Sequence, residues 1–354
     1  MKRTAIIGFA NLYSMPYAGK YIDAVENLQM SYDLIYWDRE NESVHAENHY
    51  VFRKAIDSSK NVALKLSSFF RFKKFAIDVL KKNKYDKIIV LYSLPAVLLK
   101  GYLKKNYAGN YVFAYTDYTF ENNPIYKRWI KTAVVNSYLT TITSEGFLRY
   151  LPNTENIIVS HNAAGLNEQC EEDNGKSGKI VISYIGMLRQ FEHIRKFVAN
   201  LANDERFELN YYGNGFCEEQ LRGYISENGI KNVHVHGRYS PEDKSRLIGE
   251  CDIINNCFEN DIFQKYAMTN RFYDAVIHCK PQIVNAGSYS DEVVAGNNLG
   301  IAIDPEDKNL GDKIHGWYKG LDKNALRDNC TEYRRSIIAD ESKLRQKLIE
   351  YLGS

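Results

Sequence analysis

Twice along this chain, short apolar and β-branched runs that end at a glycine or a polar residue alternate with stretches carrying apolar residues at helical spacing. That alternation constrains the fold more than any other feature. Strand–helix units joined by short loops need crossover connections, so the strands lie parallel and helices cover the sheet. In the first half the predicted strands are Thr4–Ile7, Tyr32–Trp37, Lys87–Leu91, Tyr111–Tyr115, Leu139–Thr143 and Ile157–Val159. Tyr21, Ala24, Val25 and Leu28 set an apolar stripe on a helix over Tyr17–Leu28, and Pro95 suits the first turn of another. Residues Cys170–Lys179 (CEEDNGKSGK) have linker composition, after which the alternation restarts. Strands are predicted at Lys179–Ile185, Glu208–Tyr212, Val233–His236, Asp252–Asn256 and Pro281–Asn285, with helices over Arg189–Leu201 and Asn270–His278. The stretch Tyr333–Leu352 is helical in period and highly charged.

The expectation is an α/β chain with two Rossmann-like domains, 1–168 and 178–330, and a C-terminal helix within 331–354 that crosses back to the first domain. A length of 354 residues suits two cores, since single cores stop growing near ~250–300 residues.

The net charge of +2 conceals a basic segment between Arg53 and Lys131, which points to an anionic partner for the first half. Six cysteines without a CxxC pair predict buried, reduced thiols and a reducing compartment. The start MKRTAIIGFAN lacks a signal-peptide pattern, and no apolar run reaches the ~20 residues of a spanning helix. A cytoplasmic protein is expected. Within 53–84, FFRFKKFAIDVLKKNK pairs aromatics with clustered lysines, which suits an anionic membrane surface on the inner face of the plasma membrane. The competing reading is a solvated helix whose aromatics enter the core. No nucleic-acid-binding module is recognisable, so nucleic acid is not an expected partner.

The ordered set YIGMLRQFE, YYGNG, HGRYSPED, CDIINN and MTNRFYDAVIHCKPQIV resembles the donor domain of GT-B glycosyltransferases. Bacterial family 4-like enzymes of capsular and other surface polysaccharide assembly are the nearest in pattern. In the first half YDLIYWDRE, YTDYTFENNP, TSEGFLRYLP and SHNA fit the same order. The resemblance implies two Rossmann-like domains facing a cleft, and transfer of a sugar from a nucleotide-sugar, UDP-linked, to a glycan or a polyprenyl-diphosphate-linked sugar. No metal and no bound cofactor are expected. One departure concerns the two glutamates, seven residues apart, of the large retaining group. Asp274 stands at the second position and Tyr266 at the first, so the resemblance assigns no stereochemical outcome.

A diphosphate calls for backbone N–H groups at a helix start and a fixed cation. The resemblance puts Gly186 and Arg189 beside it, with Thr269, Asn270 and Arg271 at the start of a second helix and Asp274 toward the ribose. Thr269 is a suitable cap, and a guanidinium at Arg271 suits bidentate phosphate contact. Gly213 and Gly215 form a tight turn rather than a dinucleotide fingerprint, because Cys217-Glu218 stands where the third glycine belongs. Gly237, Arg238 and Tyr239 form the loop expected along the nucleobase. For deprotonating the acceptor, Asp117 at a strand end is the first choice and Glu121 the second; the bland alternative is that Asp117 caps the next segment. Gly8, Tyr17 and Arg39 are expected on the acceptor side. His161 is expected to be structural. Other readings of the same scaffold are a nucleotide-sugar epimerase and a non-catalytic GT-B protein, while a dinucleotide oxidoreductase is disfavoured by the missing fingerprint.

Overall fold

The computed structural model describes residues 2–11, 15, 17–39, 46–54, 62–166 and 178–354. They divide into two units, Met1–His161 with Ala339–Ser354, and Asn162–Ile338.

The first unit holds β1 (Arg3–Ile7), β2 (Ser31–Asp38), β3 (His49–Arg53), β4 (Lys87–Leu91), β5 (Tyr111–Tyr115), β6 (Leu139–Ile142) and β7 (Ile157–Val159). All pair in parallel, in the order β3-β2-β1-β4-β5-β6-β7. The interleaved helices are α1 (Ala18–Asn27), α2 (Val62–Asn83), α3 (Ser93–Asn106) and α4 (Pro124–Val135). β4 and β5 are buried along their whole length, as expected of strands covered on both faces.

The second unit holds β8 (Ile180–Ile185), β9 (Phe207–Tyr212), β10 (Val233–Gly237), β11 (Ile253–Asn255), β12 (Gln282–Asn285) and β13 (Gly300–Ile303), parallel throughout. Their order is β10-β9-β8-β11-β12-β13. Between them run α5 (Phe191–Leu201), α6 (Glu218–Glu227), α7 (Lys244–Gly249), α8 (Asn270–Ile277), α9 (Tyr289–Gly296) and α10 (Leu310–Lys319). Each sheet reverses its winding once, at β1/β4 and at β8/β11. Those are the switch points where ligands bind, outside the carboxyl ends of the strands.

α11 (Lys323–Gly353) begins ten residues before the predicted Tyr333. Asp322 caps it by accepting from the N–H groups of Asn324 and Ala325. Its first half packs Leu326, Cys330 and Ile337 into the core of the second unit. Its second half packs Leu344, Leu348, Tyr351 and Leu352 into the core of the first. The buried Tyr351 hydroxyl accepts from Ile88 N at 2.9 Å and donates to Ile88 O at 2.9 Å.

Two strands escape a reading of apolar runs. β3 is a half-exposed edge strand. β13 is four residues long and starts at Gly300, where a Cβ would lie 2.0 Å from Gln282 O. The cysteine expectation is corrected at one position. Cys217, Cys251, Cys257 and Cys330 are free and buried, but Cys279 is disulfide-bonded. Pairing depends on which thiols the fold brings together, which spacing along the chain does not report. The cysteines therefore do not argue for a reducing compartment. The linker-like run lies, up to residue 177, outside the described residues.

Candidate functional site

In the second unit β8, β9 and β10 each run into a glycine of positive φ: Gly186 at 149°, Gly213 at 135° and Gly237 at 77°. The ladder continues through them. Gly186 N donates to Tyr212 O at 2.9 Å, Gly213 N to Gly237 O at 2.7 Å, and Leu188 N to Asn214 O at 3.0 Å. A Cβ on Gly213 would stand 1.9 Å from Gly186 O, and one on Gly215 2.2 Å from Leu188 O. These glycines let two turns pack backbone to backbone, so the sequence reading of a tight turn describes them.

A Cβ on Gly186 would lie 3.2 Å from Arg271 Nη1, so the bare turn is the surface on which that guanidinium rests. Arg271 lies in the first turn of α8. The helix is capped by Thr269, whose hydroxyl accepts from Phe272 N at 3.2 Å and donates to Asn256 Oδ1 at 2.5 Å. Asn256 is fully buried and holds Gln282 Oε1 at 3.0 Å, so the end of β11 fixes the helix start. Asn270 accepts from Asn162 Nδ2 at 2.5 Å.

What holds Arg271 is an aromatic face rather than a carboxylate. Its guanidinium carbon lies 3.9 Å from the Tyr184 ring centroid. Its buried Nε has no hydrogen-bond partner, and among the described residues it makes no ion pair. The residue is partly buried, and the nearest carboxylate that feels its charge, Asp274, is held by Lys244. A guanidinium so placed at a helix N-terminus, where four N–H groups lack intrahelical partners, has the chemistry to take an anion.

Asp274 lies one turn further along. Lys244 holds its Oδ1 at 2.7 Å, while burial keeps its carboxyl above the usual range against that lysine, His278 and Arg271. Tyr239 is half-buried nearby, its hydroxyl pKa raised by burial against the pull of Lys244 and Arg271. Arg238 is exposed on the same loop. Arg189 is exposed, with Nε 2.9 Å from Met187 Sδ. The geometry thus brings together Gly186, Gly213, Gly237, Arg271, Asp274 and Tyr239, and leaves Arg189 and Arg238 on the outer rim.

Sequence reading missed Lys244, Tyr184 and His193. His193, in the first turn of α5, is 3.4 Å from Asn285 Nδ2. Burial, helped by Lys196 and Arg271, lowers its pKa to about 4, so its imidazole is neutral at pH 7. The one available signal was polarity at strand ends: Asn255 ending β11, Asn256 just after it, and Asn285 ending β12 are all buried.

In the first unit, Asp117 follows β5, Tyr92 follows β4, and Tyr17 caps α1 after β1. The Asp117 charge is felt by both tyrosines, whose hydroxyl pKa values are raised, mainly by burial. Asp117 keeps an open side to solvent, but removal of water by its surroundings holds its carboxyl above the usual range. Tyr92 has φ 71° and ψ 153°, a region that costs ~1–3 kcal/mol for a non-glycine residue. Strain of this kind, near the Asp117 carboxylate, makes this group of strand ends the candidate site of the first unit.

The other first-unit residues take more local roles. Glu121 is 1% exposed, and its carboxylate accepts from Thr119 N at 2.5 Å, closing its own turn. Gly8 packs where a Cβ would fall 2.3 Å from Met15 Sδ. The Arg39 guanidinium lies 4.0 Å from the Phe9 ring centroid and 5.3 Å from that of Trp37. His161 pairs with Asp340 at 3.1 Å.

No protein-family description matches the sequence, and neither does any curated sequence. Solved structures do match in fold. Sucrose-phosphate synthase from Thermosynechococcus elongatus is similar at a TM-score of 0.70 and 13% identity, over 98% of both chains. Anabaena Alr3699/HepE, in complex with UDP, is similar at 0.70 and 13%, over 99% of this chain and 100% of that one. The fold is GT-B. WaaG, a glycosyltransferase involved in lipopolysaccharide biosynthesis, is a third GT-B likeness, at 0.64 and 11%, over 98% of this chain and 99% of that one. In this GT-B chain the Arg271 site lies at the carboxyl ends of the strands of the second sheet, and the Asp117 site at those of the first.

Proposed function

We propose that this protein is a glycosyltransferase that moves a sugar from a UDP-linked donor to a hydroxyl of a glycan or a lipid-linked oligosaccharide in surface polysaccharide assembly. The observation that carries this is Arg271, a cation at a helix start that makes no ion pair among the described residues. The fold likeness to Anabaena HepE, solved with UDP, supports the choice of ligand. In this reading Arg271 and the α8 N-terminus take the diphosphate, Arg189 adds a rim contact, and the free oxygen of Asp274 accepts from the ribose. The Gly237–Tyr239 loop borders the base.

For the transfer, the acceptor oxygen forms a bond to the anomeric carbon as the bond to the diphosphate breaks. The acceptor proton passes to the Asp117 carboxylate, and the departing diphosphate keeps the electron pair, its charge stabilised by Arg271. A carboxyl held above its usual range is a better proton acceptor than an ordinary aspartate. No described helix is long and apolar enough to cross a membrane, and among the described residues no side-chain cluster suits a metal. A thermal-shift panel of nucleotides and nucleotide-sugars tests the donor: saturating UDP is expected to raise Tm by about 3–5 °C. No shift with any nucleoside diphosphate would refute the reading.

The acceptor side extends to an anionic membrane surface. α2 divides its aromatics: Phe72 is fully buried against Trp37, and Phe69 packs on Phe9 and Trp37, while Phe70 is 63% exposed. Of the paired aromatics, Phe70 alone is therefore exposed enough to meet a membrane. Lys73 is close enough to depress the Lys100 pKa, which burial lowers first, and Lys100 Nζ lies 4.2 Å from the centroid of the exposed Trp129 on α4. Phe70, Trp129 and the exposed Lys74 and Lys81 form the face in question. Lys74→Ala and Lys81→Ala are each expected to weaken sedimentation with phosphatidylserine vesicles about fivefold, and neutral vesicles to bind little. Equal binding to both vesicle types would remove the membrane from the reading.

A further inference from the structure

Strands of a doubly wound sheet are covered on both faces and read as continuous apolar runs. β9 (FELNYY) and β10 (VHVHG) alternate instead. Phe207, Leu209, Tyr211, Val233 and Val235 pack into the core with α5 and α6, so Glu208, Asn210, Tyr212, His234 and His236 occupy the opposite face. The crossover that ought to cover that face, α7, is six residues long. Its Leu247 and Ile248 pack with Ile185, Ile254 and Ala275, on the side of β8 and β11. Beyond it lies an open groove of about 620 Å³, lined among others by Ser183, Glu208, Asn210, Tyr212, His236 and Glu250.

Its walls have a definite chemistry. The Tyr212 and His236 rings stack with centroids 4.3 Å apart at 12°, forming a flat shelf. His236 Nε2 lies 2.7 Å from Asn210 Oδ1, which fixes the ring. Asn210 is only 6% exposed, and its Nδ2, which makes no hydrogen bond to a described residue, is open to solvent on this face. Glu250 is tied to Arg246 at 2.9 Å, whereas Glu208 makes no ion pair among the described residues. An aromatic shelf, a solvent-facing amide donor and a carboxylate without an ion pair match a polyol ring, with its C–H face on the shelf and neighbouring hydroxyls to Glu208 and Asn210. An apolar ligand would leave those groups without partners, and a phosphate would meet two carboxylates, Glu208 and Glu250, against the single lysine of the lining, Lys179.

We infer that this groove binds a neutral saccharide on the face of the second sheet, away from the strand-end turns and α8. The inference does not depend on the proposed transfer reaction. Calorimetry and saturation-transfer NMR on the full chain, with maltotriose, cellotriose and chitotriose as probes, test it. At least one probe is expected to bind with a Kd of ~1 mM or tighter. Glu208→Ala and His236→Ala are each expected to weaken it by ~10-fold, with UDP affinity unchanged. Absence of binding by all three probes at ~10 mM would overturn the inference, as would binding that neither substitution alters. UDP affinity on the same samples keeps the two sites apart: saccharide binding without UDP binding refutes the donor site alone, and the converse refutes the groove alone.

Discussion

Arg271→Ala is expected to weaken UDP binding by roughly 100-fold while changing Tm little. Two physical terms combine in that figure. The substitution removes a charge-assisted, fork-shaped donor pair, and it removes the one cation in the first turn of α8. Stability should hardly suffer, because the guanidinium makes no ion pair among the described residues and its buried Nε is unsatisfied already. Arg271→Lys keeps the charge but loses the planar stack on Tyr184, so it should recover only part of the affinity. Arg189→Ala should cost only a few-fold, since that side chain is exposed and screened. Calorimetric titration of the three variants reads all of this. An Arg271→Ala protein that binds UDP as the parent does would place the diphosphate elsewhere.

Asp117→Asn is expected to lower turnover by about 10²–10⁴-fold while leaving UDP affinity intact, because it removes a proton acceptor and belongs to the other unit. The sign of the pH dependence follows from the raised carboxyl. Only ionised Asp117 accepts a proton, so kcat/KM should fall as pH drops through a pKa above the ordinary aspartate value, and the Asn variant should lack that limb. Linkage gives the stability sign. The unfolded chain releases this proton at lower pH than the folded one, so the ionised group opposes folding as pH rises through that window. Asp117→Asn should therefore be neutral or stabilising at pH 7. A variant with parental turnover would remove Asp117 from the mechanism, and one with lost turnover and lost stability together would make its role structural.

Much of this was legible in the residues themselves. The runs AII in β1, IIVL in β4 and IVI in β8 announce buried parallel strands because strands covered on both faces read as near-continuous apolar runs. The cap Thr269 and the glycines at strand ends mark the proposed donor site because few residues tolerate those positions. Other features had no local signature. That Arg271 makes no ion pair among the described residues depends on which carboxylates the fold brings near, and Lys244 reaches Asp274 across thirty residues of chain. Glu121 and Asp117 look equivalent in YTDYTFE, yet one closes its own turn and the other sits beside two tyrosines at the switch point. The alternation in FELNYY was visible, but its meaning required seeing that α7 is too short to cover it.

Calorimetry comparing UDP with UMP on the unaltered chain decides whether Arg271 and the α8 N-terminus take a diphosphate. One UDP site per chain is expected, with UMP binding at least ~10-fold more weakly because it lacks the second phosphate for the guanidinium to grip. Equal affinities for UDP and UMP, or no binding of either, would contradict that placement.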